Sequence, residues 1–288
     1  MRVLDTAKNV HKNEEHYDQT YGEVRIDSIV STINNFDDFF ADAVVTDTSW
    51  YGLYQQSFAE QLKGKRVLEL GCGDGVNALS MAKLGANVVA VDISGQSARI
   101  VNEAAEQLQL QGQVQGLAGD FTELPFEDHS FDIIVGKAFL HHLTHELERE
   151  YLKKSASLLK QDGQARFFEP AENNRLLDAM RWMVPVKGRP SSLNKKAFKK
   201  WEENDPHPER ENTSRAYLDC AREFFDDAQV FPLGSLERFH KLMPQGSFNR
   251  KYRRLAHRLD VHLPQSIRLS FARSQLLIYR APIVSQLG

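Results

Sequence analysis

The stretch Val67-Leu68-Glu69-Leu70-Gly71-Cys72-Gly73-Asp74-Gly75, followed by Val91-Asp92, constrains this chain more than any other part of it. A short apolar run that ends in closely spaced glycines reads as a buried strand and a sharp turn. Without side chains, the turn lets a ligand lie directly against backbone. The second apolar run closes on Asp92, whose carboxylate can accept both hydroxyls of a ribose. A nucleoside-containing ligand is therefore expected at the carboxyl ends of these strands. Nicotinamide dinucleotides fit poorly, because their fingerprint requires glycine three residues after the second glycine, where Val76 stands. The turn also lacks Gly-Lys-Ser/Thr, which disfavours a phosphate-loop hydrolase.

The surrounding pattern gives that turn a setting. Apolar runs at 66–70, 88–91, 131–135 and 165–168, with a weaker one at 113–119, alternate with helical spacing over 76–84, 97–108 and 146–159. Further strands are expected at 230–233 and 275–279. Short apolar strands separated by amphipathic helices predict an α/β fold: a Rossmann-like, doubly wound, mostly parallel seven-stranded sheet with helices on both faces. Residues 1–60 are expected to form a helical lid, and 61–288 the ligand-binding domain. In the lid, Phe36, Phe39, Phe40, Trp50, Tyr51 and Tyr54 could cover a ligand mouth or simply pack as core. A helical cap is expected at 171–226, and a basic excursion at 236–268.

Composition narrows the classes of function. No stretch of the 288 residues approaches the ~18 apolar residues of a membrane-spanning helix. The polar start lacks the apolar segment of a secretory signal, so a cytoplasmic location is expected. Two cysteines, Cys72 and Cys220, make neither a disulfide framework nor a metal cluster. The formal charge of -3 gives no general attraction to nucleic acid, which is not expected as a partner. The local exception is Arg250-Lys251-Tyr252-Arg253-Arg254 with Arg258. It reads either as a solvated helix face or as a weak contact with an anionic surface through 250–258.

Taken in order, VLELGCGDG at 67–75, VVAVDIS at 88–94, AGDFTELPFEDHSFDIIVGKAFLHHL at 118–143 and LLKQDGQARFFEP at 158–170 resemble the class I S-adenosylmethionine-dependent methyltransferases, in particular those acting on small, quinone-like or natural-product-like molecules. The resemblance covers residues 60–170. It implies S-adenosylmethionine as cofactor, with Glu69, Gly71 and Gly73 around its amino-acid portion and Asp92 on its ribose. Ile93 would pack on adenine, Asp120 and Phe121 would contact the base, and Lys137 would line the cavity near the sulfonium. The segment His16-Tyr17-Asp18 is similar to an N-terminal segment that folds across the cofactor in related enzymes, which makes Tyr17 a candidate lid and acceptor contact.

The acceptor side rests on fewer residues. His141 and His142 follow the fourth strand, and His141 is the candidate proton acceptor and substrate contact. No metal is expected, because no third ligand of suitable spacing accompanies the pair. Glu169 could shape the acceptor pocket or cap the helix that follows it. Trp182, with Trp201, could enclose an organic acceptor within the cap. Gly136-Lys137-Ala138-Phe139 lacks the Asn/Asp-Pro-Pro-aromatic arrangement of base-amino methyltransferases. The implied activity is in-line transfer of methyl to a small, partly apolar, secondary or quinone-like metabolite. The alternatives are an RNA or protein methyltransferase using the basic segment, and a catalytically silent S-adenosylmethionine-binding partner protein.

Overall fold

A computed structural model describes residues 6–186, 188–244 and 246–283. Its sheet has strands β1 (Arg66–Leu70), β2 (Asn87–Asp92), β3 (Val114–Ala118), β4 (Phe131–Lys137), β5 (Leu159–Pro170), β6 (Phe225–Leu233) and β7 (Ser274–Pro282). They lie in the order β3-β2-β1-β4-β5-β7-β6. All neighbours pair parallel except β7, which runs antiparallel to β5 and to β6. The expected seven-stranded doubly wound sheet is thus present. The chain reverses its direction of winding between β1 and β4, which opens a crevice at their carboxyl ends.

Alternation along each strand divides the core in two. Val67, Val88, Ala90, Ile133, Val135 and Ile278 face one side, and Leu68, Leu70, Ile134, Phe167, Leu277 and Tyr279 the other. The first face is covered by α1 (Thr6–Gly22), α2 (Ile26–Asn34), α3 (Phe36–Thr46), α4 (Thr48–Leu53), α5 (Phe58–Gln61), α6 (Val76–Lys83) and α7 (Gly95–Gln107). The second carries α8 (His145–Leu158). Beyond β5 come α9 (Arg175–Met183), α10 (Lys195–Asn204) and α11 (Ser214–Ala221), and between β6 and β7 lie α12 (Ser247–Asp260) and α13 (Gln265–Phe271).

Three expected boundaries change. The aromatic prelude is core: Trp50 stacks on Tyr54 at 5.4 Å, both are buried, and Phe39 and Phe40 meet Trp50 edge-on. Within the expected lid, it is α1 that borders the ligand cavity. At the far end of the expected 171–226 cap, α11 is a sheet-covering helix, because Tyr217 and Ala221 are fully buried with Tyr279. This helix starts at Ser214, and Phe225 already belongs to β6. Finally, α9 begins at Arg175, where Asn174 accepts from the amides of Leu176 and Leu177.

The basic excursion is partly neutralised. Glu237, its side chain fully buried, pairs with Arg253 at 2.7 Å and Arg273 at 2.9 Å, and Arg254 meets Asp42 at 2.7 Å. Arg268 donates to the Pro232 carbonyl. Arg250 and Lys251 stay exposed. No described helix is long and apolar enough to cross a membrane.

Candidate active site

The glycine turn after β1 needs its glycines for two reasons. Gly71 and Gly73 have φ of +68° and +55°, which L side chains rarely adopt. A Cβ on Gly71 would also meet the Phe139 ring at 2.4 Å, and one on Gly73 the Tyr21 hydroxyl at 2.7 Å. The turn is tied to β2 because the amides of Gly71 and Cys72 donate to the Val91 carbonyl. Asp92 accepts from the Gly73 amide at 2.9 Å through one oxygen and from the Ser94 amide at 3.0 Å through the other. Burial pushes its carboxyl up, against the pull of those backbone donors.

Glu69 lies beneath this turn. One oxygen accepts from Asn77 at 2.6 Å, and Asn77 accepts from the Tyr54 hydroxyl. The other oxygen, Oε2, is buried with no hydrogen-bond partner among the described residues. Burial pushes the Glu69 carboxyl up to about 8, and nearby Asp74 and Asp92 add to the shift, opposed by Asn77 and the Lys137 ammonium. A buried carboxylate oxygen without a donor is costly, and a ligand ammonium would satisfy it. The residues present thus fit S-adenosylmethionine: Glu69 for the ammonium, the glycine cradle for the amino-acid backbone, and Asp92 for ribose.

A cavity of about 800 Å³, counted to its open mouth, extends from this cradle. Tyr17, Tyr21, Gly71, Asp92, Ile93, Phe121, Lys137, Phe139, His142 and Tyr151 line it. Tyr17 stacks on Tyr21 at 5.6 Å, and both descend from α1. This helix is anchored where Asp18 accepts from the Ser94 hydroxyl at 2.5 Å and the Gln96 amide at 3.3 Å, at the start of α7. Burial raises both tyrosine hydroxyls, and Asp92 adds to it, so the two phenols remain protonated.

Not every expected residue borders the cavity. Asp120 turns onto its own loop, where its Oδ1 accepts from Thr122 and from the Tyr151 hydroxyl at 3.2 Å. Tyr151 borders the cavity in its place. Trp182 packs with Phe198 and Trp201 and under Arg189, so it forms a small core within the cap rather than a cavity wall. Glu169 is fully buried and caps neither α9 nor the pocket. Its oxygens instead accept from the amides of Phe139, Leu140 and His141 and from His141 Nδ1 at 2.7 Å. It therefore caps the short turn Leu140–His142. Burial pushes Glu169 up to about 7, while the three amides, with Arg210, favour its ionised form.

His141 stands behind His142 at the cavity edge, with ring centroids 4.1 Å apart. Burial lowers both imidazoles, His141 to about 3, with His207 and Arg210 adding to its shift. With Glu169 ionised, its oxygen only accepts, and the 2.7 Å contact then puts the His141 proton on Nδ1 and leaves a lone pair on Nε2. His142 meets the Tyr17 hydroxyl at 3.2 Å. A third imidazole, His207 of the cap, stacks against both, at 5.2 Å from His141 and 4.4 Å from His142. The expectation of no metal rests on the lack of a third imidazole near in sequence, and the fold places His207 beside the pair. Nothing in the spacing of residues 141 and 207 announces it. Tyr151 was more accessible to sequence reasoning, since it follows Leu147 by one helical turn on the buried face of α8.

Residues 67–163 match the family described as "Methyltransferase domain". Among curated relatives, the chain is 37% identical over 118 residues to the cypemycin N-terminal methyltransferase of a Streptomyces species, covering 40% of this chain and 46% of that one. It is 32% identical over 120 residues to the ubiquinone biosynthesis O-methyltransferase of Actinobacillus pleuropneumoniae serotype 7 (strain AP76), covering 38% and 47%. The chain thus spans about half the length of these relatives. Among solved structures, the MccD protein aligns over 80% of this chain and 96% of its own, with TM-score 0.52 and 18% identity. The [4+2]-cyclase SpnF aligns over 79% of each chain, with TM-score 0.50 and 18% identity. At such identities these likenesses concern the fold alone.

Proposed function

We propose that the protein transfers a methyl group from S-adenosylmethionine to a small, partly apolar organic acceptor held in the cavity beneath α1. The observation that carries this reading is the continuity of one cavity from Gly71 and Asp92, through an aromatic chamber, to His142. The cofactor supplies an activated methyl on a sulfonium. The chain's own residues align the acceptor and exclude water. Tyr17 and Tyr21 roof the chamber, Phe139 and Tyr151 wall it, and the imidazole pair supplies its polar end. His141, held through Nδ1 by Glu169, backs His142 at that end.

Acceptor chemistry is not inherited from the matched segment. One curated relative is named for an N-terminal acceptor and another for an oxygen, yet each matches this chain over a similar length. A chamber walled by aromatic rings suits a compact, partly apolar metabolite better than a polymer. Transfer to RNA or protein is less favoured, because Arg253, Arg254 and Arg268 are already bonded within the fold. Silent cofactor binding has no observation of its own. Extract separated into metabolites, lipids, RNA and protein, incubated with methyl-labelled cofactor, tests the reading. Label on a discrete metabolite supports it, and label confined to RNA or protein overturns it. His141→Ala should impair transfer more than cofactor binding, and normal single-turnover transfer would remove His141 from the acceptor's side.

A further inference from the structure

His141, His142 and His207 each offer one ring nitrogen, and these nitrogens all lie within 4.8 Å of one another. We infer that they form a binding site for a divalent first-row transition metal of the Zn²⁺ type, at the junction of the turn after β4 and the cap. Three imidazoles with an open fourth position are the donor set of catalytic rather than structural zinc sites. Imidazole nitrogen also selects this class of metal over Mg²⁺ or Ca²⁺, which take oxygen.

The donors' partners favour a cation. Metal-binding histidines commonly give their second ring nitrogen to a carboxylate, which fixes the tautomer and raises donor strength. Here His141 Nδ1 contacts Glu169 at 2.7 Å, and His207 Nδ1 contacts Asp205 at 2.5 Å. In both rings Nε2 is the nitrogen left to bind. His142 contributes beside the Tyr17 hydroxyl, whose 3.2 Å contact ligation through the same nitrogen would replace. Two acidic side chains, Glu169 and Asp205, thus stand directly behind the imidazoles. A tetrahedral site with metal–nitrogen bonds of ~2.0 Å needs its donors ~3.3 Å apart. The present nitrogens lie within 4.8 Å of one another, and His207, 39% exposed on the cap, is the ligand whose small shift would bring them to that spacing.

The fourth position would serve the methyl acceptor, because His142 borders the cavity. This part rests on the methyl-transfer reading, whereas the metal site itself does not. An acceptor hydroxyl bound to the metal loses its proton to solvent more readily. Its oxygen electron pair then forms the bond to methyl carbon as the sulfur–carbon bond breaks, and that pair leaves on the neutral sulfide. His141 would thus act through the metal rather than by taking the proton.

The test uses the full chain stripped of metal and titrated with Co²⁺, read by visible d–d absorption, and with Zn²⁺, read by equilibrium dialysis. Stoichiometric uptake with the intense bands of a low-coordinate nitrogen site is expected. His207→Ala should weaken uptake by about a hundredfold or more, and Asp205→Asn by about tenfold. Absence of stoichiometric uptake by the unaltered protein, or uptake unchanged in His207→Ala, would overturn the site. The unaltered protein needs no folding control, and thermal melting serves for the variants. S-adenosylhomocysteine binding, measured in parallel, separates the two readings, since its loss in the unaltered protein would sink methyl transfer but not the metal. Once an acceptor is in hand, turnover that survives complete chelation would overturn the acceptor's place on the metal.

Discussion

Asp92 is held by two backbone amides, so its carboxylate is already oriented before any ribose arrives. Asp92→Ala removes the carboxylate proposed to hold ribose and frees the Gly73 amide, and is expected to weaken S-adenosylhomocysteine binding by about tenfold to a hundredfold. Calorimetry on a variant with unchanged melting behaviour checks this, and equal affinity would remove Asp92 from the ribose. Glu69 makes a different prediction. Burial lifts its carboxyl to about 8, so it carries a proton at pH 7 until a cation reaches Oε2. In linkage terms, the folded chain binds this proton more tightly than the unfolded chain. Glu69 therefore costs stability as pH rises from the ordinary carboxylate range toward 8. Cofactor binding through the ionised form should expel a proton near pH 7 and weaken as pH falls further. Calorimetry in buffers of different ionisation heat reads that release, and Glu69→Gln should abolish it. No proton exchange in the unaltered protein would detach Glu69 from the ammonium. The glycines and acids of this cradle were legible from sequence because each is dictated by local backbone geometry and by strand-end chemistry. Asp120 was legible as a residue at the edge but not in its direction, since Thr122 and Tyr151 claim its oxygen only in the fold.

At the scale of elements, α1 is the part poised over the cavity. Its polar exterior contributes little to the core, and its hold on the domain passes through a few contacts. Asp18 binds the start of α7, Tyr17 meets His142, and Lys12 donates to the Asp205 carbonyl of the cap. Asp18→Ala should therefore loosen the helix without loosening the sheet. Amide exchange in residues 6–22 is expected to rise, exchange in β1 and β4 to stay unchanged, and cofactor affinity to fall by about tenfold. Unaltered exchange in α1 would mean that aromatic stacking alone holds it. The strands were readable because alternation has a period that sequence records directly. The cap was not, because Trp182, Phe198 and Trp201 satisfy one another, and an apolar helix face does not say which surface it meets. By the same reasoning α11 passed for cap until Tyr217 was seen inside the core.

The whole molecule is closed by contacts between distant segments, and Glu237 is the one with the sharpest consequence. Its carboxylate joins Arg253 of α12 to Arg273 before β7, and Arg253 also reaches Thr48 at 3.3 Å at the start of α4. Burial alone would raise this carboxyl, but Arg273 and Arg253 overcome it and hold the group below its usual range. A depressed acid stabilises the fold above its unfolded pKa, and that contribution disappears as pH falls through the folded value. Glu237→Gln should cost about 3 kcal/mol at pH 7 by leaving guanidinium charge uncompensated. The gap between variant and unaltered protein should narrow on acidification, as denaturant unfolding at pH 7 and pH 4 would reveal. A constant gap would contradict the pairing. The fold also changes the meaning of the basic run, since Arg253 and Arg254 are bonded within it while Arg250 and Lys251 stay exposed. Sequence by itself determined the sheet, its order of alternating helices and the cofactor edge, because these follow from short-range periodicity and from glycines that backbone geometry requires. Only the tertiary structure decided which side chains converge at the acceptor's end. Tyr17, His142 and His207 meet there from a lid, a strand end and a cap, and the packing that brings them together leaves no trace in their spacing.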